Sequence, residues 1–102
     1  MNSNLPQGNL FAFDATMPGQ PKRFVYLLRS ERDFTRPYVG LTSNVDERLR
    51  AHNAGQNPST ASYRPWELVV ALEFKTEKVA MSFERYLKSG SARAFAKRHF
   101  RG

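Results

Sequence analysis

The sequence has 102 residues, enough for one small domain with its own core and too few for two. It contains no cysteine, which excludes disulfides, thiolate metal sites and thiol nucleophiles and makes the cytoplasm the expected location. No apolar run approaches the roughly 20 residues of a membrane span, so no membrane partner is expected. Sixteen Lys and Arg against nine Asp and Glu give a net charge of +7, which favours a polyanionic partner such as nucleic acid.

The chain begins with a segment that has no hydrophobic period. Residues 1–22 are rich in Asn, Gln, Pro and Gly, and we predict a flexible tail there. From residue 23 the pattern becomes dense, and no internal repeat, linker or low-complexity tract interrupts it. We therefore expect one working domain over residues 23–102.

Two short strands open this domain. FVYLLR at residues 24–29 and YVGLT at residues 38–42 are rich in aromatic and β-branched residues, as strands are. The polar residues 30–36 between them predict a hairpin loop. Gly40 adds little to the stability of a strand, so we expect another backbone segment or a ligand to approach closely there.

A first helix is predicted over residues 45–54. Ser43 or Asn44 can cap it, and Glu47, three residues after Asn44, completes a capping box. Gly55 follows at the position where a left-handed residue commonly ends a helix.

A polar loop is predicted over residues 55–65. The next run, WELVVALEF at residues 66–74, is almost continuously apolar, which is typical of a central strand covered on both faces. Trp66 begins this strand and is better suited to the core than to stacking on bases.

Two further helices follow the third strand. Thr76 can cap the first of them, which we expect Gly90 to end, and Ser91 can cap a short last helix that ends near residue 98. The predicted order is β-β-α-β-α-α. This order indicates an α+β fold with a small, mainly antiparallel three-stranded sheet flanked by helices.

Polar residues occupy the apolar stripe of the first helix. Spacings of three and four residues place Arg48 and His52 on the face that should meet the sheet. Either one alone is most simply an edge residue, the arginine reaching solvent and the histidine packing as a neutral ring. Strand alternation also places Tyr26 on one face of the first strand, and Tyr38 with Gly40 on one face of the second. If these faces coincide, two phenols, a guanidinium and an imidazole meet in one patch.

These residues form an ordered set along the chain. Phe24-Val25-Tyr26 and Tyr38-Val39-Gly40 stand about a dozen residues apart, Arg48 lies eight residues after the second tripeptide, and Glu84 lies in a later helix. The set resembles the GIY-YIG nuclease superfamily over residues 23 to about 100, and it is most similar to small stand-alone bacterial members. The first tripeptide departs from the family pattern at its first two positions but keeps the tyrosine.

The resemblance implies a metal-dependent endonuclease that hydrolyses DNA phosphodiester bonds and leaves a 5′-phosphate and a 3′-hydroxyl. It implies one divalent metal ion held by Glu84, with Mg²⁺ expected and Mn²⁺ as the alternative, because Mg²⁺ keeps several of its waters. Tyr26 would be the general base, and Arg48 would stabilise the transition state. Tyr38 and His52 would orient water or phosphate, with a proton-shuttle role for His52.

Further basic residues suit a groove for a nucleic-acid backbone, although an ordinary solvated face explains them equally well. The predicted nucleic-acid contacts are Gly40, Arg29, Arg36, Arg64, Lys88, Arg93 and Lys97. Two other functions stay open: a catalytically silent nucleic-acid-binding module on the same scaffold, and a basic RNA-associated protein. The domain has no room for a separate targeting segment, so a protein partner for targeting is an alternative.

Overall fold

The computed structural model of the protein describes residues 20–90 and residue 98. Six elements follow one another, and they are β1 (Phe24–Ser30), β2 (Pro37–Thr42), α1 (Val45–Asn53), α2 (Pro58–Ala61), β3 (Trp66–Glu73) and α3 (Glu77–Leu87). The predicted α+β class with a three-stranded antiparallel sheet is confirmed. Most of the predicted tail and the short helix after Ser91 lie outside the described residues. In the part of the chain that is described, no helix has the length and apolar character needed to cross a bilayer.

The central strand of the sheet is β1, which pairs with β2 on one side and β3 on the other. Its residues Val25 to Leu28 are all buried, because β2 and β3 flank the strand and side chains pack on both faces of the sheet. The prediction of β3 as the central strand was wrong. β3 is an edge strand in which Leu68 and Ala71 are exposed. The apolar run of β3 resembles that of a buried strand. The place of a strand in a sheet depends, however, on which strands it pairs with, and among the described strands β3 pairs only with β1.

The sheet is covered on both faces by different helices. Successive strand residues point to opposite faces, so Val25 and Tyr26 belong to different clusters. The face of Tyr26 packs under α1 and contains Leu28, Trp66, Tyr38, Val45, Leu49 and Tyr63. The face of Val25 packs under α3 and contains Val39, Leu41, Phe74, Ala80, Phe83 and Leu87.

The ends of α1 follow local sequence signals. The Asn44 side chain accepts a hydrogen bond from the amide of Glu47 at 3.1 Å, which confirms Asn44 as the cap. The second half of the predicted capping box does not form, because the Asn44 amide donates to Thr42 Oγ1 and the Glu47 carboxylate pairs with Arg50 at 3.4 Å. Gly55 has a φ of 79°, which confirms the predicted left-handed residue.

A short helix, α2, interrupts the predicted polar loop. The Asn57 side chain accepts from the amide of Ser59, and Pro58 occupies the first turn. An Asn-Pro pair is a recognisable start signal, but four residues are too few to show a helical period. α2 carries Thr60, whose carbonyl accepts from Nε1 of the buried Trp66 at 2.9 Å, and the core position predicted for Trp66 is confirmed.

The last described helix begins as predicted and ends early. The Thr76 side chain accepts from the amide of Val79 at 3.2 Å, as expected of a cap. The helix ends at Leu87, with Lys88 as the C-terminal cap in a right-handed conformation. The prediction that Gly90 ends it was therefore wrong.

Candidate active site

The register of β1 and β2 joins the two tripeptides. Tyr26 lies opposite Gly40, and Leu28 lies opposite Tyr38. The tyrosine-bearing faces of the two strands therefore coincide. A Cβ atom at Gly40 would overlap Cζ and Oη of Tyr26, so the ring of Tyr26 lies directly over the glycine backbone. The close approach expected at Gly40 is made by a side chain of the neighbouring strand, and neither a backbone segment nor a ligand is needed to explain the glycine.

Helix α1 brings two further residues to the same place. Tyr26 Oη lies 3.0 Å from His52 Nε2, and Arg48 Nε–H donates to the same oxygen at 3.3 Å. The ring of Tyr38 packs edge-on against His52, with 4.7 Å between the ring centres. Four of the five predicted catalytic side chains thus form one cluster. We call Tyr26, Tyr38, Arg48 and His52 the tyrosine cluster.

The members of the tyrosine cluster differ in exposure. Tyr26 is 1% exposed and His52 is completely buried. Tyr38 and Arg48 are half-buried. A molecule that approaches the cluster from solvent therefore meets a phenol and a guanidinium first, with the buried phenol and imidazole behind them.

His52 is neutral at physiological pH. Burial, and then the positive charge of Arg48, lower the pKa of its imidazole to about 4. The ring also makes a second hydrogen bond, since Nδ1 lies 2.8 Å from Oγ1 of Thr60. His52 thus acts as a hydrogen-bonding group between Tyr26 and Thr60, and it carries no charge there.

Glu84 belongs to a different layer of the molecule. Its helix, α3, packs against β1 and β2 through the sheet face opposite to Tyr26. The side chain is 20% exposed, and its carboxylate pairs with Lys88 Nζ at 3.1 Å. Glu84 is therefore partly sheltered from solvent. The metal-ligand role assigned to it stays a prediction.

The donor set for a metal ion is small. Within residues 20–90 and 98, no group of three or more His, Cys, Asp or Glu side chains could hold an ion. Glu84 offers one sheltered carboxylate whose partner is a single lysine. This set fits a hard ion such as Mg²⁺, which can take most of its ligands from water and phosphate.

Several of the predicted nucleic-acid contacts are engaged within the fold. Arg29 pairs with the Glu67 carboxylate, and its guanidinium lies 4.9 Å from the centre of the Phe34 ring. Arg36 lies 4.4 Å above the Tyr63 ring. These contacts hold the guanidinium groups in defined positions.

The other predicted contacts differ in how well the structure describes them. Arg64 Nε–H donates to the Ala61 carbonyl at 2.7 Å, and the residue is exposed. Lys88 pairs with Glu84. Arg93 and Lys97 lie outside the described residues. Binding of nucleic acid by any of these residues stays a prediction.

Sequence reasoning missed two polar residues that support the site. Asn53 binds both backbone groups of Trp66: its Oδ1 accepts from the amide at 2.6 Å, and its Nδ2–H donates to the carbonyl at 3.1 Å. This link ties the end of α1, next to His52, to the start of β3. Thr60 was missed because its partner His52 is eight residues away and no helical period connects them.

Comparisons with known proteins identify a family whose sequence matches this chain. A family model described as the GIY-YIG catalytic domain matches residues 22–98. The chain is 35% identical over 71 residues to the structure-specific endonuclease subunit SLX1 of Debaryomyces hansenii, an alignment that covers 63% of this chain and 20% of that protein. It is 39% identical over 74 residues to the protein of the same name from Rattus norvegicus, with 64% of this chain and 27% of that protein covered. The chain therefore spans about a fifth to a quarter of these relatives.

A relative of similar size matches as well. A UPF0213 protein of Staphylococcus haemolyticus is 34% identical over 71 residues, which cover 69% of this chain and 84% of that protein. No solved structure gives a significant match. The family model covers most of the chain, and the tyrosine cluster contains the tyrosine of each tripeptide and the arginine of the next helix. The chain therefore belongs to the GIY-YIG catalytic domain family, as its sequence motifs predict.

Proposed function

We propose that the protein is an endonuclease that hydrolyses phosphodiester bonds of DNA with the help of one divalent metal ion. The observation that carries this proposal is the tyrosine cluster, in which one phenolic oxygen contacts both a guanidinium and an imidazole. Membership of the family supports it, as does similarity to relatives named structure-specific endonuclease subunits. The net charge of +7 suits a polyanionic substrate.

Arg48 supplies positive charge at the solvent side of the cluster. A guanidinium is always protonated and presents several N–H donors in a plane, which matches the oxygens of a phosphate. Arg48 therefore stabilises the extra negative charge that develops on the oxygens bound to phosphorus in the transition state.

Tyr26 acts as the general base in this proposal. The attacking water gives one proton to Tyr26 Oη while the phenol passes its own proton to His52 Nε2, and the water oxygen forms a bond to phosphorus. The bond between phosphorus and the 3′-oxygen breaks, and this oxygen takes a proton from solvent. The products are a 5′-phosphate and a 3′-hydroxyl. Near-complete burial keeps Tyr26 in one orientation, so its hydroxyl is positioned before the substrate arrives.

Glu84 is the residue that would hold the metal ion, with Mg²⁺ expected and Mn²⁺ as the alternative. α3 contacts both β1, which carries Tyr26, and β2, the edge strand that carries Tyr38 and Gly40. Binding would exchange the Lys88 ammonium for the ion at the carboxylate. When bound, the ion would neutralise phosphate charge and lower the pKa of a coordinated water.

The decisive experiment compares Glu84→Gln with Lys88→Gln, since both variants break the same ion pair. Labelled single-stranded, duplex and flap DNA are incubated with Mg²⁺ or Mn²⁺, with and without EDTA. At saturating DNA we expect EDTA and Glu84→Gln to abolish cleavage and Lys88→Gln to retain it, since loss of a phosphate contact at Lys88 would weaken binding and leave the bound rate unchanged. Equal loss in both variants would mean that Glu84 serves the ion pair and does not hold a metal ion.

The same panel, with labelled single- and double-stranded RNA added, separates the proposal from its alternatives. Binding of DNA without cleavage under every metal condition would identify a catalytically silent nucleic-acid-binding module. Binding confined to RNA would favour an RNA-associated protein. We further propose that a protein partner selects the substrate, because the relatives are named as subunits; cleavage of a structured DNA with full selectivity by the isolated protein would contradict this.

A further inference from the structure

The side chain of Thr60 has two partners of different chemical character. Thr60 is 2% exposed, and its Oγ1 lies 2.8 Å from His52 Nδ1 and 3.3 Å from the Asn57 carbonyl oxygen. A carbonyl oxygen can only accept, so the single hydroxyl proton of Thr60 is donated to Asn57, as threonine hydroxyls in helices commonly do to a carbonyl three residues earlier. The contact with His52 then requires that Nδ1–H donates to Oγ1.

This assignment determines the tautomer of His52. The imidazole is neutral, so it carries one proton on one of its two nitrogens. With the proton on Nδ1, the other nitrogen, Nε2, is an acceptor. Tyr26 must then donate its phenolic proton to Nε2, across the observed 3.0 Å. The remaining lone pairs of Tyr26 Oη are acceptors, and one of them receives Nε–H of Arg48.

We propose that Thr60 is a positioning residue that holds His52 as the Nδ1–H tautomer and thereby turns the phenolic proton of Tyr26 toward the protein interior. In the opposite tautomer, Nε2–H would point at Tyr26 Oη and the phenolic proton would have to point elsewhere. A phenol whose proton points at His52 Nε2 can pass that proton to the imidazole as its oxygen takes one from the attacking water. The catalytic consequence rests on the proposed nuclease function, whereas the tautomer itself does not.

The tautomer can be measured directly by ¹⁵N NMR of the histidine side chains, because protonated and unprotonated ring nitrogens have different chemical shifts. The chain has two histidines, so the measurement is made in a His99→Gln background that leaves His52 alone. We expect the Nδ1–H form in the otherwise unchanged protein. Thr60→Val replaces the hydroxyl by a methyl group of similar size, and we expect it to shift His52 mainly to the Nε2–H form. Thr60→Ser keeps a hydroxyl and should restore the Nδ1–H form.

Two results would overturn the assignment. One is a protein with Thr60 intact in which His52 is the Nε2–H tautomer, and this measurement needs no variant at position 60 to fold. The other is an unchanged Nδ1–H form in Thr60→Val. On cleavable DNA we also expect kcat to fall about 10-fold in Thr60→Val with KM unchanged, and to recover in Thr60→Ser. A protein that cuts no DNA but shows the Nδ1–H form would refute the nuclease proposal and leave the tautomer assignment standing.

Discussion

Tyr26 Oη and His52 Nε2 lie 3.0 Å apart and join β1 to α1 through side chains separated by 26 residues in sequence. Both residues are buried, at 1% and 0% exposure. A hydrogen bond in such a place matters for folding as well as for chemistry, because water cannot replace a lost partner. The tyrosine cluster is therefore part of the core on this sheet face, and its variants need stability and activity measured side by side.

Removal of the Tyr26 hydroxyl should affect both the stability of the protein and its cleavage activity. We expect Tyr26→Phe to lose cleavage while DNA binding stays near normal, because the ring still fills the space over Gly40. The free energy of unfolding should fall by about 1 to 3 kcal/mol, since buried His52 Nε2 loses its donor. Urea unfolding and gel-based cleavage measure the two effects. Tyr86→Phe is the control, because Tyr86 is 51% exposed on α3. A fully active Tyr26→Phe protein would remove the proposed base.

Removal of the Arg48 guanidinium should affect mainly activity. We expect Arg48→Ala to reduce the cleavage rate by about 10² to 10³-fold, the typical loss for a donor that stabilises transition-state charge. The fold should persist, because Val45 and Leu49 of the same helix still pack on the sheet. Arg50→Ala is the matched control on the exposed side of α1, where the ion pair with Glu47 contributes little. Unchanged turnover in a folded Arg48→Ala protein would contradict the assigned role.

The glycine of the second tripeptide should tolerate no side chain. In Gly40→Ala the new methyl group would meet the ring of Tyr26, which must move from its place between the strand and α1. We expect a loss of about 1 to 3 kcal/mol in the free energy of unfolding, together with loss of cleavage. Gly90→Ala provides the comparison, because within the described part of the chain a Cβ there would have no heavy atom within 4 Å beyond its neighbours in sequence. Equal thermal unfolding temperatures for both variants would disprove the packing argument.

Stability should depend on pH through His52. The pKa of this residue is lowered from 6.5 to about 4, so between these values the unfolded chain binds a proton that the native protein excludes. Stability therefore falls as pH decreases from about 6.5 toward 4. At pH 5 the loss relative to pH 7.5 should be about 2 kcal/mol, given about 1.4 kcal/mol per pKa unit. The pKa of Asp33 lies below its ordinary value of 3.8, because Thr35 donates hydrogen bonds to it, so its effect on stability falls mainly below this interval.

Urea unfolding at several pH values, with His52→Gln as the control, tests this dependence. The variant lacks the titrating ring, so its stability should change less over the same interval. An NMR titration adds a second check, because Arg48→Ala removes one of the two causes of the lowered pKa and should raise the pKa of His52. A His52 that titrates near 6.5 in the unaltered protein would contradict both expectations.

Signals that act within a few residues were sufficient for much of the fold. The hairpin strands, the Asn44 cap, the left-handed Gly55 and the Thr76 cap each depend on neighbours in sequence, and each was predicted. The edge position of β3 and the short helix α2 were not predicted. A strand's place in the sheet depends on distant pairing, and α2 has too few residues for a period.

The same division applies to the site. Sequence alone placed Arg48 and His52 on one face of α1 and Tyr38 with Gly40 on one face of β2, because alternation along a strand and the helical period are properties of the local backbone. The strand register then decided that these faces meet at Tyr26. Only the tertiary structure decided that His52 bridges Tyr26 to Thr60, and that Glu84 approaches from the opposite sheet face on α3. Hydrogen bonds between elements depend on how helices cross a sheet, and no short-range pattern in the chain encodes that crossing.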